Sequence, residues 1–112
     1  MPTYFKTLNT GSISSGSYDE ETWTPDTDIK IKRVMIVEHS DKSLSNVQTY
    51  IKIAGVPYSL DYVPAAIIGQ DPEYCWKPDL EVKKGAEIYF KVLNSRSDSI
   101  NCDIVIEFER LG

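Results

Sequence analysis

The chain carries a single histidine, His39, in a polar stretch beside Ser40 and Asp41. A hydrolytic triad needs a nucleophile, a base and an orienting acid that converge from separate elements. Three neighbours in one loop do not supply that geometry, so the expected class is non-enzymatic. The two cysteines, Cys75 and Cys102, do not combine with a lone histidine into a transition-metal spacing. Cys102 is in phase with Ile100 and Ile104, which makes it a small core residue; a Cys75–Cys102 bridge stays open, because sequence does not give the distance. Five carboxylates, Asp19, Glu20, Glu21, Asp26 and Asp28, fall within ten positions. Hard cations take such oxygens, but the spacing is not that of an EF-hand loop. The expected reading is a solvated acidic edge that also protects a strand from mispairing. No glycine-rich phosphate loop is present, and no cofactor or metal is expected.

The aromatic residues are the more informative set: seven Tyr, three Phe and two Trp. Phe90 and Phe108 fall in phase with core positions, whereas Tyr50 and Tyr89 alternate outward. Tyr58, Tyr62, Tyr74 and Trp76 gather around Pro64 and Pro72. Exposed aromatics stack on sugars or become buried in a subunit contact; otherwise they pad the core and loop bases. Trp23, Tyr58, Tyr62, Tyr74, Trp76 and Tyr89 are therefore the candidate interface or ligand-stacking residues. The formal net charge of −5 disfavours phosphate backbones as partners. The small basic clusters, Lys30 with Lys32 and Arg33 and then Lys83-Lys84, read as solvated strand faces and a turn. The first residues lack the apolar core of a secretory signal, and no apolar run reaches membrane-spanning length.

The elements that position these residues are strands. Gly85 to Leu111 reads as two long strands, joined as a hairpin by Asn94-Ser95-Arg96-Ser97-Asp98-Ser99. Ala86, Ile88, Phe90 and Val92 share one face of the first. Ile100, Cys102, Ile104, Ile106 and Phe108 share one face of the second. That is period-two alternation with one buried side. Upstream, Tyr4 to Leu8 is a short edge strand, and a flexible Ser/Gly-rich loop follows near 10–17. Tyr18 to Trp23 is a strand with its acidic side toward solvent, stopped by Pro25. Ile29 to Glu38 changes phase: Ile29 and Ile31 share one face, Val34 and Ile36 the other. A bulge near Lys32-Arg33, or cover on both faces, reconciles them. Val47 to Ile53 turns tightly at Ala54-Gly55 and pairs back with Val56 to Leu60. Tyr62 to Gln70 holds one helical turn or a short strand, Asp71-Pro72 is a turn, and Cys75 to Val82 is a strand interrupted at Pro78. No segment sustains a 3.6-residue apolar period. About seven or eight strands in a single domain, 1–112, then imply an all-β, antiparallel β-sandwich of jelly-roll or Greek-key topology with little helix. The strong last strand is expected at the centre of its sheet, since on an edge it would template aggregation.

From Trp23 to Leu111 the order of signals resembles small single jelly-roll proteins of bacterial and archaeal virus particles. Trp23-Thr24-Pro25 stands before a basic strand, and Ile51-Lys52-Ile53-Ala54-Gly55 follows. Then come Leu80-Glu81-Val82-Lys83-Lys84-Gly85-Ala86-Glu87-Ile88, Val92-Leu93-Asn94-Ser95, and Ile104 to Phe108. Such modules serve as capsid, vertex, turret or decoration proteins. The resemblance implies a structural protein located in the virion. It would self-assemble as a trimer or pentamer and contact other capsid proteins. It carries over no functional residue. A carbohydrate- or receptor-binding β-sandwich module is the alternative, motivated by Trp23, Trp76 and the tyrosines.

Overall fold

The computed structural model describes residues 2–40, 42–59, 61–69 and 73–111, with the backbone alone at Ile67. Asp41, Leu60, Gln70 and the Asp71-Pro72 turn lie outside the described residues. The strands are β1 (Thr3–Ile13), β2 (Tyr18–Trp23), β3 (Ile29–Glu38), β4 (Val47–Ile53), β5 (Val56–Pro57), β6 (Val63–Pro64), β7 (Leu80–Val82), β8 (Ile88–Asn94) and β9 (Ile100–Arg110). One helical turn, α1 (Ala65–Ile68), follows β6, so the Tyr62–Gln70 segment contains both of the forms expected of it.

Two antiparallel sheets face each other across the core. One has the order β1-β9-β3-β7; the other has β2-β8-β4-β5, with β6 also on β4. The long strands therefore alternate between sheets as the chain advances, which is the double Greek key of a jelly roll. β9 lies between β1 and β3, at the centre of its sheet as expected.

This order corrects one expectation. β8 and β9 do not form a hairpin: β8 pairs with β2 and β4, and β9 with β1 and β3. The 95–99 segment crosses between sheets. Alternation shows which face of a strand is buried but not which strand lies beside it. The crossing is held by polar groups. Buried Asn94 donates from Nδ2 to the carbonyls of Ile13 at 3.0 Å and Asp98 at 2.7 Å, and its Oδ1 accepts the Arg96 N–H. Arg96 then binds Asp98 at 2.8 Å and the Ser43 carbonyl at 3.0 Å, and it holds the Asp98 carboxyl down at about 2.

Two local devices set the register. The β3–β9 pairing shifts between Ile31 and Arg33, so a bulge at Lys32 flips the strand. Ile29 and Ile31 are then buried on the same side as Val34, Ile36 and Glu38. In β1 the pairing with β9 shifts between Asn9 and Ser12. Gly11 sits there at φ +69, a conformation glycine adopts without Cβ strain, and its N–H is taken by Asn9 Oδ1 at 2.9 Å. The strand consequently runs to Ile13 through the first half of the segment expected to be loop. Only 14–17 connects it to β2. The β4–β5 hairpin forms as expected, with Ala54 and Gly55 both left-handed, at φ +53 and +80, the pair of conformations a primed hairpin turn requires.

The core is the shared inner surface: Ile29, Ile31, Val34, Ile36, Val47, Ile53, Ile88, Phe90, Ile100, Ile104 and Ile106 are fully buried. Glu38 is buried among them at 2% exposure. Burial alone would raise its pKa, but backbone N–H groups of Asn101, Lys42 and Ser40 prevail and lower it.

Candidate functional site

The outer faces of the sheets are where partners can act, and the two differ. On the β2-β8-β4 face, antiparallel pairing lines up side chains in cross-strand rows. Glu20, Lys91 and Tyr50 form one row; Thr22, Tyr89 and Lys52 form the next. Tyr62, just before β6, closes the far side. The Tyr50 ring lies edge-on to Tyr62 at 6.4 Å and to Tyr89 at 6.3 Å between centroids, within the range where aromatic rings attract. The Lys91 ammonium sits 4.1 Å over the Tyr18 ring and 5.6 Å from the Tyr62 centroid, so it bridges the two margins of the sheet through cation–π contacts. A hydrogen bond with the Tyr62 side chain raises the Lys91 pKa against an opposing desolvation effect. The Tyr89 hydroxyl donates to Glu20 Oε2 at 2.6 Å; burial first, then this bond, raises its pKa. A shallow hollow of about 300 Å³ is lined by Glu20, Tyr50, Lys52, Glu87 and Tyr89.

Of the six aromatic candidates, the fold brings Tyr62 and Tyr89 to this face. It places the others elsewhere. Trp23 turns inward from β2, and its ring stands 5.0 Å from Phe108, so it is a partly buried residue packed against the core. Trp76 packs against the core, bridges to Val34, and has Tyr58 at 6.3 Å. Tyr74 is 79% exposed. Tyr18, Tyr50 and Lys91 complete the face and were not among the candidates. Alternation along β8 sets Lys91 beside Tyr89, whereas Tyr18 joins them through the β2–β8 register, which no local pattern specifies.

The outer face of the other sheet is ionic where this one is aromatic. The bulge directs both Lys32 and Arg33 outward, and each is matched by an acid. Lys32 meets Asp79 at 2.6 Å; Arg33 meets both Glu107 oxygens at 3.1 Å. These groups and Lys77, which donates to the Glu73 carbonyl at 2.7 Å, line a hollow of about 310 Å³, where Lys32 and Arg33 are already neutralised. His39 lies further along. Its Nε2 contacts Asp103 Oδ2 at 2.6 Å, so β9 supplies it with a carboxylate partner. The Ser40 N–H is committed to Glu38.

The acidic stretch is dispersed. Glu20 faces outward, whereas Asp19 and Glu21 turn toward the gap between the sheets. That corrects the expectation of a wholly solvated acidic side: strand alternation sends every second residue of Asp19-Glu20-Glu21 inward. Burial, followed by hydrogen bonding and repulsion from Asp19, pushes the Glu21 carboxyl up to about 7. Asp28 caps the Lys84 N–H at 2.8 Å. Among the described residues, no group of three acidic, His or Cys side chains is arranged to hold a metal. No disulfide joins Cys75 to Cys102, and burial raises the Cys102 thiol to about 11. Among the described residues, no helix is long and apolar enough to cross a membrane.

Compared with family models, with curated proteins and with solved structures, the chain matches none.

Proposed function

We propose that this protein is a structural, non-enzymatic subunit of a virus particle, in a minor-capsid, vertex, turret or decoration role. It works by docking to copies of itself and to other capsid proteins. The observation that carries this reading is the aromatic face of the second sheet: Tyr18, Tyr50, Tyr62 and Tyr89 around Lys91. Tyrosine is enriched at the centres of protein interfaces, because a large rigid ring is buried there at small entropic cost. The jelly-roll strand order supports the same reading through the resemblance to particle subunits. Light scattering and native mass spectrometry at high micromolar concentration test it. A trimer or pentamer is expected, disrupted by the double substitution Tyr50→Ser, Tyr62→Ser. A monomer that binds no capsid partner would sink the proposal.

A second reading, a glycan-binding module, is favoured by the hollow between Tyr50 and Tyr89. Glu20, Glu87 and Lys52 surround these rings, and such groups can bond sugar hydroxyls. A glycan array followed by tyrosine and tryptophan fluorescence titration distinguishes the two. Saturable quenching by one sugar class, abolished by Tyr50→Ser, would favour the module.

A further inference from the structure

The sheet margins are defended unequally. β5 and β6 are two residues long, and each ends in proline. β7 has three residues, and the neighbouring edge of β3 is continued by backbone bonds to Trp76 and Gly69. β2 carries Asp19, Glu20 and Glu21 in succession. Short length, proline and charge are the usual means of keeping a sheet edge from recruiting another strand. β1 has little of this. It spans eleven residues, and its pairing with β9 runs unbroken from Thr3 to Asn9. That stretch, Thr3-Tyr4-Phe5-Lys6-Thr7-Leu8-Asn9, is mostly aromatic and β-branched, with Lys6 as its sole charge. Every second residue of such an edge points its N–H and C=O away from the sheet. Phe5 stands on the outer face at 62% exposure.

We propose that β1 is a dimerisation edge, pairing antiparallel with β1 of a second copy about a two-fold axis at Phe5. Residues opposite each other in an antiparallel pair share a face, so the axis must pass through a residue. Centring on Lys6 would set two ammonium groups against each other. Centring on Thr7 would leave Phe5 opposite Asn9. Centring on Phe5 packs the two exposed rings together, sets Thr3 opposite Thr7, and brings each Lys6 opposite a Tyr4 ring. The first sheet then continues across the dyad as eight strands. The acidic β2 edge lies on the other sheet, about 10 Å below, and its charges keep the second sheets from joining. The dimer uses a surface separate from the tyrosine face. It rests on the proposed structural role only for its purpose, and a particle subunit can use both contacts at once.

Sedimentation equilibrium and hydrogen exchange on the full chain test this. The wild-type chain should show a reversible two-fold association, separate from any assembly through the tyrosine face, and amides of residues 3–9 should gain protection as concentration rises. Phe5→Lys should weaken the dimer at least ~100-fold, from two lost ring burials and a new charge repulsion. Phe5→Thr, which keeps strand propensity, should weaken it about tenfold. Circular dichroism should be unchanged in both, since Phe5 is exposed in the monomer. A wild-type monomer at high micromolar concentration would overturn the proposal. So would an assembly whose size is unchanged in Phe5→Lys, with protection gained on β4 and β8 and none on residues 3–9. That second result would leave the tyrosine-face reading standing, whereas a Phe5-dependent dimer insensitive to Tyr50→Ser, Tyr62→Ser would do the reverse.

Discussion

Phe90 and Lys91 are neighbours in β8 and live in different worlds. Phe90 is fully buried between the sheets with Ile88 and Val92. Lys91 projects to the other side, over tyrosine rings that come from two other segments. The same contrast runs along β9, where Ile104 and Ile106 are buried and Asp103 and Glu107 reach outward to His39 and Arg33. Inner positions are under one demand, exclusion of water, and apolar residues of about the right volume satisfy it. Outer positions answer to whichever strand lies alongside, and that is a property of the assembled sheet.

The sharpest break of this contrast is on the inside. Phe90→Ala should cost roughly 3–5 kcal/mol, from lost transfer energy and the cavity left behind. Set against a total stability of about 5–15 kcal/mol, that approaches unfolding. Phe108→Ala falls at the lower end of the same range, because Phe108 keeps a little exposure under Tyr4 and Trp23. Urea denaturation checks both; equal costs at 90 and 91 would refute the assigned facing.

Next is the polar joint where inner and outer surfaces meet. Asn94→Ala removes two donors and an acceptor from a buried site. It should cost about 2–4 kcal/mol, since the Ile13 carbonyl and the Arg96 N–H lose their partners. Hydrogen exchange should show the loss first in 95–99 and in the adjoining end of β1. A smaller, uniform effect would mean that the crossing is held by the strands alone.

These two cases also explain what could be read from the residues in order. Period-two alternation located the buried faces of β3, β4, β8 and β9, and the phase change at Lys32-Arg33 located a bulge that the pairing contains. Those signals are local. The partner of each strand is not local, which is why β8 and β9 suggested a hairpin and belong to different sheets. The tyrosine face was half legible for the same reason. Tyr89, Lys91 and Tyr50 announced their outward direction by alternation, while Tyr18 and Glu20 joined them only through the β2–β8 register. Trp23 looked like a ligand-stacking residue because its ring is large and lies near a strand end; the inward phase of β2 sends it to Phe108.

The β2 edge supplies a pH test of facing. Glu21 has its folded pKa raised from 4.5 to about 7, by burial and then by Asp19. The folded state therefore binds more protons than the unfolded state between those values. Its contribution is fully present below pH 4.5 and is lost as pH rises toward 7. Asp98 acts in the opposite sense. Arg96 lowers it from 3.8 to about 2, so its contribution is present above pH 3.8 and is lost as pH falls toward 2. Stability should rise from pH 2 to about 4 and decline from about 4.5 to 7. Glu21→Gln should flatten the upper limb, by roughly 1 kcal/mol after solvent screening, and leave the acid limb intact. Thermal melts across that range decide it. An unchanged upper limb in Glu21→Gln would mean that the carboxyl is solvated and the inward phase of β2 is wrong.

The smallest effect tests the outside. Lys91→Ala should barely lower the melting temperature, since it removes cation–π contacts made at an exposed site. Glu107→Ala should cost about 1 kcal/mol or less, although its side chain is only 13% exposed, because its Arg33 partner remains accessible to water. The two are separable by what else they disturb. Removing the Lys91 ammonium releases the Tyr18 and Tyr62 rings from a common partner, so tyrosine fluorescence and any oligomer built on that face should change while the melting curve barely moves. Removing Glu107 leaves Arg33 unpaired on the opposite surface and should leave the tyrosine signal alone. If Lys91→Ala instead destabilised the fold as much as Phe90→Ala, the tyrosine face would be a second core in its own right. Its rings would then be serving the monomer and would not be available to a partner.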